Sequence, residues 1–238
     1  MGTAVNKETK LILVHGSGST GEVWEYQSAY FPDSEAVSLP GHPVGKPCSS
    51  VLDYTHWLHD YISKRGYKGV VLAGHSLGGA IVQTYALEYP DDAGAIILIG
   101  TGARLRVTPD FLALLKAGIA DPAKWLKEFV EPHFAQVPAD LRETVIKRTL
   151  EVGAAVQLND FLCCDKFDIM DKVHTIKLPT LVLCGSDDIM TPVKYSQYLA
   201  TKISGSKLVI IDGGTHFVFM EKPDAVNWAI KQFLSLIH

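Results

Sequence analysis

The chain has 238 residues, 47% of them hydrophobic, and a formal net charge of −4. That is ample material for one globular core with room for an insertion. No basic stripe runs through it, which excludes the electrostatic footprint of a nucleic-acid binder. The longest apolar runs, such as Ala95–Ile99, fall far short of a bilayer span. Met1 to Lys10 is polar and mixed in charge, with no apolar signal region. Asn6 stands where a lipidation signal after Gly2 would want Ser or Thr. Cys48, Cys163, Cys164 and Cys184 follow no regular spacing and form no Cys-x-x-Cys, so a reduced, cytoplasmic protein is expected. Without a His-Glu-x-x-His or a paired Cys/His cluster, no metal site is expected.

In chain order, Lys10–Val14 is the first strand-like run. Gly16-Ser17-Gly18-Ser19-Thr20-Gly21 follows it and has the form of a dinucleotide fingerprint. That fingerprint also needs an acid at the end of the next strand. The next run, Ala36–Leu39, ends in Pro40-Gly41, with Asp33 and Glu35 placed before it, so no NAD or FAD cofactor is expected. Gly41–Lys46 is one residue short of a phosphate loop and is followed by Pro47. Helices are expected near Glu22–Tyr30 and Leu52–Lys64.

Val70–Ala73 reads as a buried strand, and Gly74-His75-Ser76-Leu77-Gly78 joins it to a helix running to Tyr89. A Gly-x-Ser-x-Gly between strand and helix holds its serine on a sharp turn, with the hydroxyl clear of the sheet. The flanking glycines are needed because side chains there would collide with neighbouring backbone. Amides at the helix start favour a developing negative charge. Ala95–Ile99 is the fourth strand. These runs lack polar alternation, as strands buried on both faces do. Strand–helix alternation then implies a parallel sheet covered on both sides.

From Arg104 to Thr175 no convincing strand is found. Thr108-Pro109, Asp121-Pro122 and Val137-Pro138 each precede a helix-like run, with proline suited to a first turn and Thr or Asp to a cap. A fourth helix is expected over Ala154–Cys164. Residues 105–175 therefore read as a helical cap over the carboxyl ends of the strands. Residues 1–104 and 176–238 read as the core. Strands resume at Thr180–Cys184 and Lys207–Ile211, with helices at Val193–Thr201 and Pro223–Leu236.

Ser76 needs a base, since an unassisted hydroxyl is a weak nucleophile. His216, on the glycine-rich loop Asp212–Phe217 past the last strand, is the candidate. The acid that would orient it comes from Gly185-Ser186-Asp187-Asp188, and spacing alone does not separate Asp187 from Asp188. Either could instead cap the helix that begins near Pro192.

These residues together resemble the α/β-hydrolase fold serine hydrolases. The resemblance is carried by His15-Gly16 after the first strand, Ser76 in its elbow, Gly185-x-x-Asp188 followed by Pro192, and His216 followed by Glu221-Lys222-Pro223. It covers nearly the whole chain and is weakest in the cap. It implies an α/β fold of about six mostly parallel strands with an inserted helical cap. The Ala36–Leu39 strand is expected at one edge. It also implies catalysis by Ser76, Asp188 and His216, with an oxyanion hole made by the backbone N–H groups of Ser17 and Leu77. His15 and His75 match structural histidines of the family's motifs.

Serine at the elbow argues against the aspartate-based epoxide and carbon–halogen chemistry of relatives. Esters, thioesters, lactones, carbon–carbon bonds beside a ketone, perhydrolysis and cyanohydrins remain within reach. The expected partner is a small-molecule substrate, with no nucleic acid and no membrane. An apolar cap suits a small or medium uncharged acyl group, with Phe111, Leu115 and Phe217 as candidate pocket walls. A histidine base must be neutral, so activity is expected to rise through about pH 6 to 7 and then level off. A triad-bearing receptor without activity is the competing class; oligomeric state is left open.

Overall fold

The computed structural model describes residues 10–237. The polar segment before Lys10, which carries the reading of a missing signal region, lies outside the described residues. Six strands form one sheet: β1 (Leu11–Val14), β2 (Ser34–Val37), β3 (Val70–His75), β4 (Ala93–Ile99), β5 (Thr180–Gly185) and β6 (Lys207–Ile211). Their order is β2-β1-β3-β4-β5-β6, and every pairing is parallel.

The helices in chain order are α1 (Glu25–Tyr30), α2 (Val51–Lys64), α3 (Leu77–Glu88), α4 (Pro109–Ala120), α5 (Pro122–Trp125), α6 (Glu131–His133), α7 (Ala139–Val152), α8 (Ala154–Lys166), α9 (Val193–Lys202), α10 (Val218–Glu221) and α11 (Pro223–Leu234). A π-turn over Leu126–Val130 leads into α6. Among the described residues no helix is long and apolar enough to cross a membrane.

The period of two along a strand divides the core. Ile12 and Val14 of β1 face a cluster with Leu58 of α2, Ile81 of α3 and Leu199 of α9. Leu11 and Leu13 face the other side, with Ile230 and Phe233 of α11. Both sides of β1 and β3 are thus buried, which is why their sequences are apolar without alternation.

The edges differ. The second strand begins at Ser34 and ends at Val37, not at Ala36 and Leu39. Leu39 is fully buried but lies past the ladder, so its apolar character reports burial rather than strand pairing. Glu35, read as preceding the strand, lies within it and accepts from the hydroxyls of Tyr61 and Tyr67.

The helices between β4 and β5 leave and return through a narrow neck. Arg104 and Asp168 form an antiparallel bridge. Beside it Leu105 N–H donates to Phe167 O (3.3 Å) and Ile169 N–H to Ala103 O (2.8 Å). Two expected caps are formed: Thr108 Oγ1 accepts from Phe111 N (3.3 Å) and Asp121 Oδ1 from Lys124 N (3.0 Å).

The strand order reverses at β1. The chain leaves β1 for β2 on one side and returns as β3 on the other. Loops after β1 and β3 therefore diverge, opening a crevice at the carboxyl ends of the strands, where open α/β sheets bind ligands.

Candidate active site

Ser76 sits in that crevice, between β3 and α3, with φ 53° and ψ −116°. A non-glycine residue with positive φ is strained and persists only where its surroundings over-determine it. Here they do. Ser76 N–H donates to Ile99 O (3.0 Å), and Ser76 O accepts from Ala80 N (3.2 Å) and Thr101 Oγ1 (2.9 Å). The tightness of the turn requires its glycines. A Cβ on Gly74 would lie 2.2 Å from Gly78 O, and one on Gly78 would lie 2.3 Å from Val14 O.

His216 follows β6. Its Nδ1–H donates to Asp188 Oδ2 at 2.9 Å, and both side chains are buried. Asp188 is held from behind: Oδ1 accepts from the amides of Met190 (2.9 Å) and Thr191 (2.8 Å), and Oδ2 from Thr191 Oγ1 (2.8 Å). Burial alone would raise its carboxyl; the imidazole of His216 and the hydrogen bonds from His216 and Thr191 outweigh that and hold it below the usual carboxylate range. Asp187 is exposed and, among the described residues, its carboxylate accepts only from Ser186 Oγ (2.8 Å), so the two neighbouring acids part in geometry. Thr191, which fixes the carboxylate, had no motif to announce it.

Ser76 and His216 both line two adjoining cavities. Among the described residues no hydrogen bond joins their side chains directly. Nor, among the described residues, does a hydrogen bond run from the Ser17 or Leu77 amide.

His75 and His15 are structural in their bonding. His75 donates from Nε2 to His216 O (3.0 Å) and packs against the rings of His216 and Phe219. His15 accepts from Leu39 N at Nε2 (3.0 Å) and donates from Nδ1 to Gly16 O (2.8 Å). Burial, then the neighbouring His42 for His15 and His216 for His75, pushes both well below the usual histidine value.

The larger cavity, about 440 Å³, is walled mainly by apolar side chains, including Val107, Phe111, Leu114, Phe129 and Phe161. Phe111 and Phe217 each line one of the two cavities. Leu115 lines neither. It is fully buried in the apolar cluster that includes Trp125 and Phe129, and Leu114, one position earlier on α4, faces the cavity instead. His133, from α6, lines both cavities; its Nδ1–H donates to Phe129 O (2.6 Å) and its ring packs on that of Phe129. Nothing in the sequence around His133 signalled this position. No group of three or more potential metal ligands occurs among the described residues.

Comparison with known proteins agrees with this architecture. A family model described as "Alpha/beta hydrolase family" matches residues 11–229. The pimeloyl-[acyl-carrier protein] methyl ester esterase of Neisseria meningitidis serogroup A is 25% identical over 242 residues, covering 94% of this chain and 76% of that protein. A thermophilic esterase of known structure is 31% identical, with a TM-score of 0.81 over 97% of this chain and 91% of its own. The enol-lactonase from Burkholderia xenovorans LB400 has a TM-score of 0.86 at 17% identity, covering 98% of this chain and 94% of its own, a likeness of fold.

Proposed function

The chain belongs to the alpha/beta hydrolase family and is a hydrolase, and from that premise we propose that it cleaves small or medium apolar carboxylic esters through Ser76, His216 and Asp188. One observation carries the reading: an imidazole bonded to a buried carboxylate at 2.9 Å shares an apolar cavity with a strained serine.

With Nδ1–H committed to Asp188, the lone pair of His216 is on Nε2, the tautomer a general base needs. His216 takes the proton of Ser76 as the serine oxygen attacks the ester carbonyl. The carbonyl π electrons move to oxygen, and the oxyanion accepts from the amides of Ser17 and Leu77. Each such donor contributes about 3 kcal/mol of transition-state stabilisation. Collapse expels the alcohol, protonated by His216, and leaves an acyl-enzyme. Water then attacks, giving its proton to His216, and the acid departs as the serine is reprotonated. Asp188 stabilises the imidazolium in both halves.

The apolar lining favours an uncharged acyl group, and about 440 Å³ lies within the range of small-molecule sites. The free cysteines suit a cytoplasmic setting. The test is twofold. A fluorophosphonate should label the protein at Ser76, and Ser76→Ala should lower turnover of p-nitrophenyl esters by about 10⁴-fold or more. Undiminished turnover in that variant sinks the reading.

A further inference from the structure

Asp160 lies in α8, between β4 and β5, and is wholly buried. Carboxylates are almost never buried so completely unless paired. This one has three donors, each from a different part of the chain. Oδ2 accepts from Gly18 N–H (2.9 Å), in the loop after β1, and from His42 Nε2 (2.8 Å), in the loop after β2. Oδ1 accepts from the hydroxyl of Tyr54 in α2 (2.9 Å). The other nitrogen of His42 faces Pro40 O at 3.0 Å, so the ring's orientation is fixed at both ends.

The bond to Gly18 bears on chemistry, because Gly18 follows Ser17. A residue's N–H lies in the plane of the peptide before it, and the peptide after it fixes the backbone on its other side. The plane holding Ser17 N–H also holds Gly16 O, which accepts from His15 Nδ1 (2.8 Å) and Ser19 N (3.4 Å). The plane on the other side of Ser17 holds Gly18 N–H, which Asp160 takes. Both planes are therefore pinned. The same helix also crowds the loop from above: Gly18 has φ +64°, and a Cβ there would lie 2.6 Å from Gln157 Nε2. Gln157 is itself fixed by Trp125 Nε1 (2.9 Å).

We propose that Asp160 is a positioning residue for catalysis: from the cap, it aligns the loop that presents the Ser17 amide to the developing oxyanion. The proposal rests on the ester-hydrolase reading above. It makes a prediction of sign. A carboxylate near an oxyanion is unfavourable as a charge, so removing that charge would speed the reaction if Asp160 acted electrostatically. If it acts by alignment, removal slows the reaction.

Two variants separate alignment from mere tethering of the cap. Asp160→Leu keeps the approximate shape and removes both acceptors; Tyr54→Phe removes one of the three bonds without touching the Gly18 loop. Asp160→Leu is expected to lower kcat about tenfold with KM within about twofold, the pattern of an interaction made only in the transition state. Its affinity for a trifluoromethyl ketone, which forms an oxyanion on Ser76, should fall in parallel, while affinity for the carboxylic acid product stays unchanged. Tyr54→Phe is expected to keep wild-type kcat even where its Tm falls as far. Where Asp160→Leu does not fold, Asp160→Ala is measured in its place with the same expectation. Unchanged or raised kcat in the Asp160 variant, or an equal kcat loss in Tyr54→Phe, overturns the proposal. Because Ser76→Ala is assayed alongside, inactivity of the wild-type protein would instead mark failure of the underlying reading.

Discussion

The strand-end loops and the helices between β4 and β5 face the same cavity, yet they are built differently. Ser76, Asp188 and His216 stand on short loops whose backbones are pinned by the sheet and by one another. The walls opposite are aromatic and aliphatic side chains such as Phe111, Phe129 and Phe161, which meet ring to ring with few polar bonds. Hydrogen bonds fix direction, whereas apolar contacts mainly fix volume. The first region therefore suits chemistry and the second suits selection. Asp160 is a fully buried charge-bearing side chain in this otherwise apolar half.

The comparison is broken most directly at the acids. Asp188→Asn should lower kcat by about 10³- to 10⁴-fold by upsetting the imidazole tautomer, whereas Asp187→Asn should stay within about twofold. Steady-state assays with p-nitrophenyl esters decide this, and equal losses would erase the distinction drawn from their geometry.

On α4, residues one turn apart should respond in opposite ways. Phe111→Ala enlarges the cavity and should shift the preferred acyl length by several carbons at modest cost in stability. Leu115→Ala should leave the preference unchanged but destabilise the fold by about 3 kcal/mol, as a buried leucine does. A chain-length series and urea unfolding measure the pair. A shifted preference in Leu115→Ala would return that residue to the pocket wall.

The smallest effect is on acid stability. His15 and His75 are held below the ordinary histidine value in the folded protein, chiefly by burial. In the unfolded chain they take up protons near about pH 6.5. Below that pH the unfolded state binds more protons, so stability is complete above it and declines as pH drops. Thermal melts between about pH 8 and 5 should show Tm falling from about 6.5 downward, and a flat profile would contradict it.

The sheet was legible because strands buried on both faces write uninterrupted apolar runs, and the Ser76 elbow because a strained turn demands its glycines. The start of β2 was not, since Ser34 and Glu35 pair in the ladder while their side chains are only half buried. Between β4 and β5, Pro109 and Pro122 announced helix starts through their fixed φ and capping neighbours. Leu115 misled because helical spacing from Phe111 cannot distinguish a pocket wall from an interior packing face. Asp160 was illegible for a different reason. An acid within a helix reads as a solvated surface residue, and only the assembled fold brings Gly18, His42 and Tyr54 to it.

The pairing of Arg104 with Asp168 sets the exit and the re-entry of the intervening segment side by side. To the sheet, that whole segment is equivalent to a short hairpin. Closing a longer or shorter excursion across the same gap changes the chain entropy only slowly with length. Insertions, deletions or wholesale exchange between those two positions can thus revise what the protein accepts while strand register is preserved, provided the newcomer again offers an acceptor to Gly18.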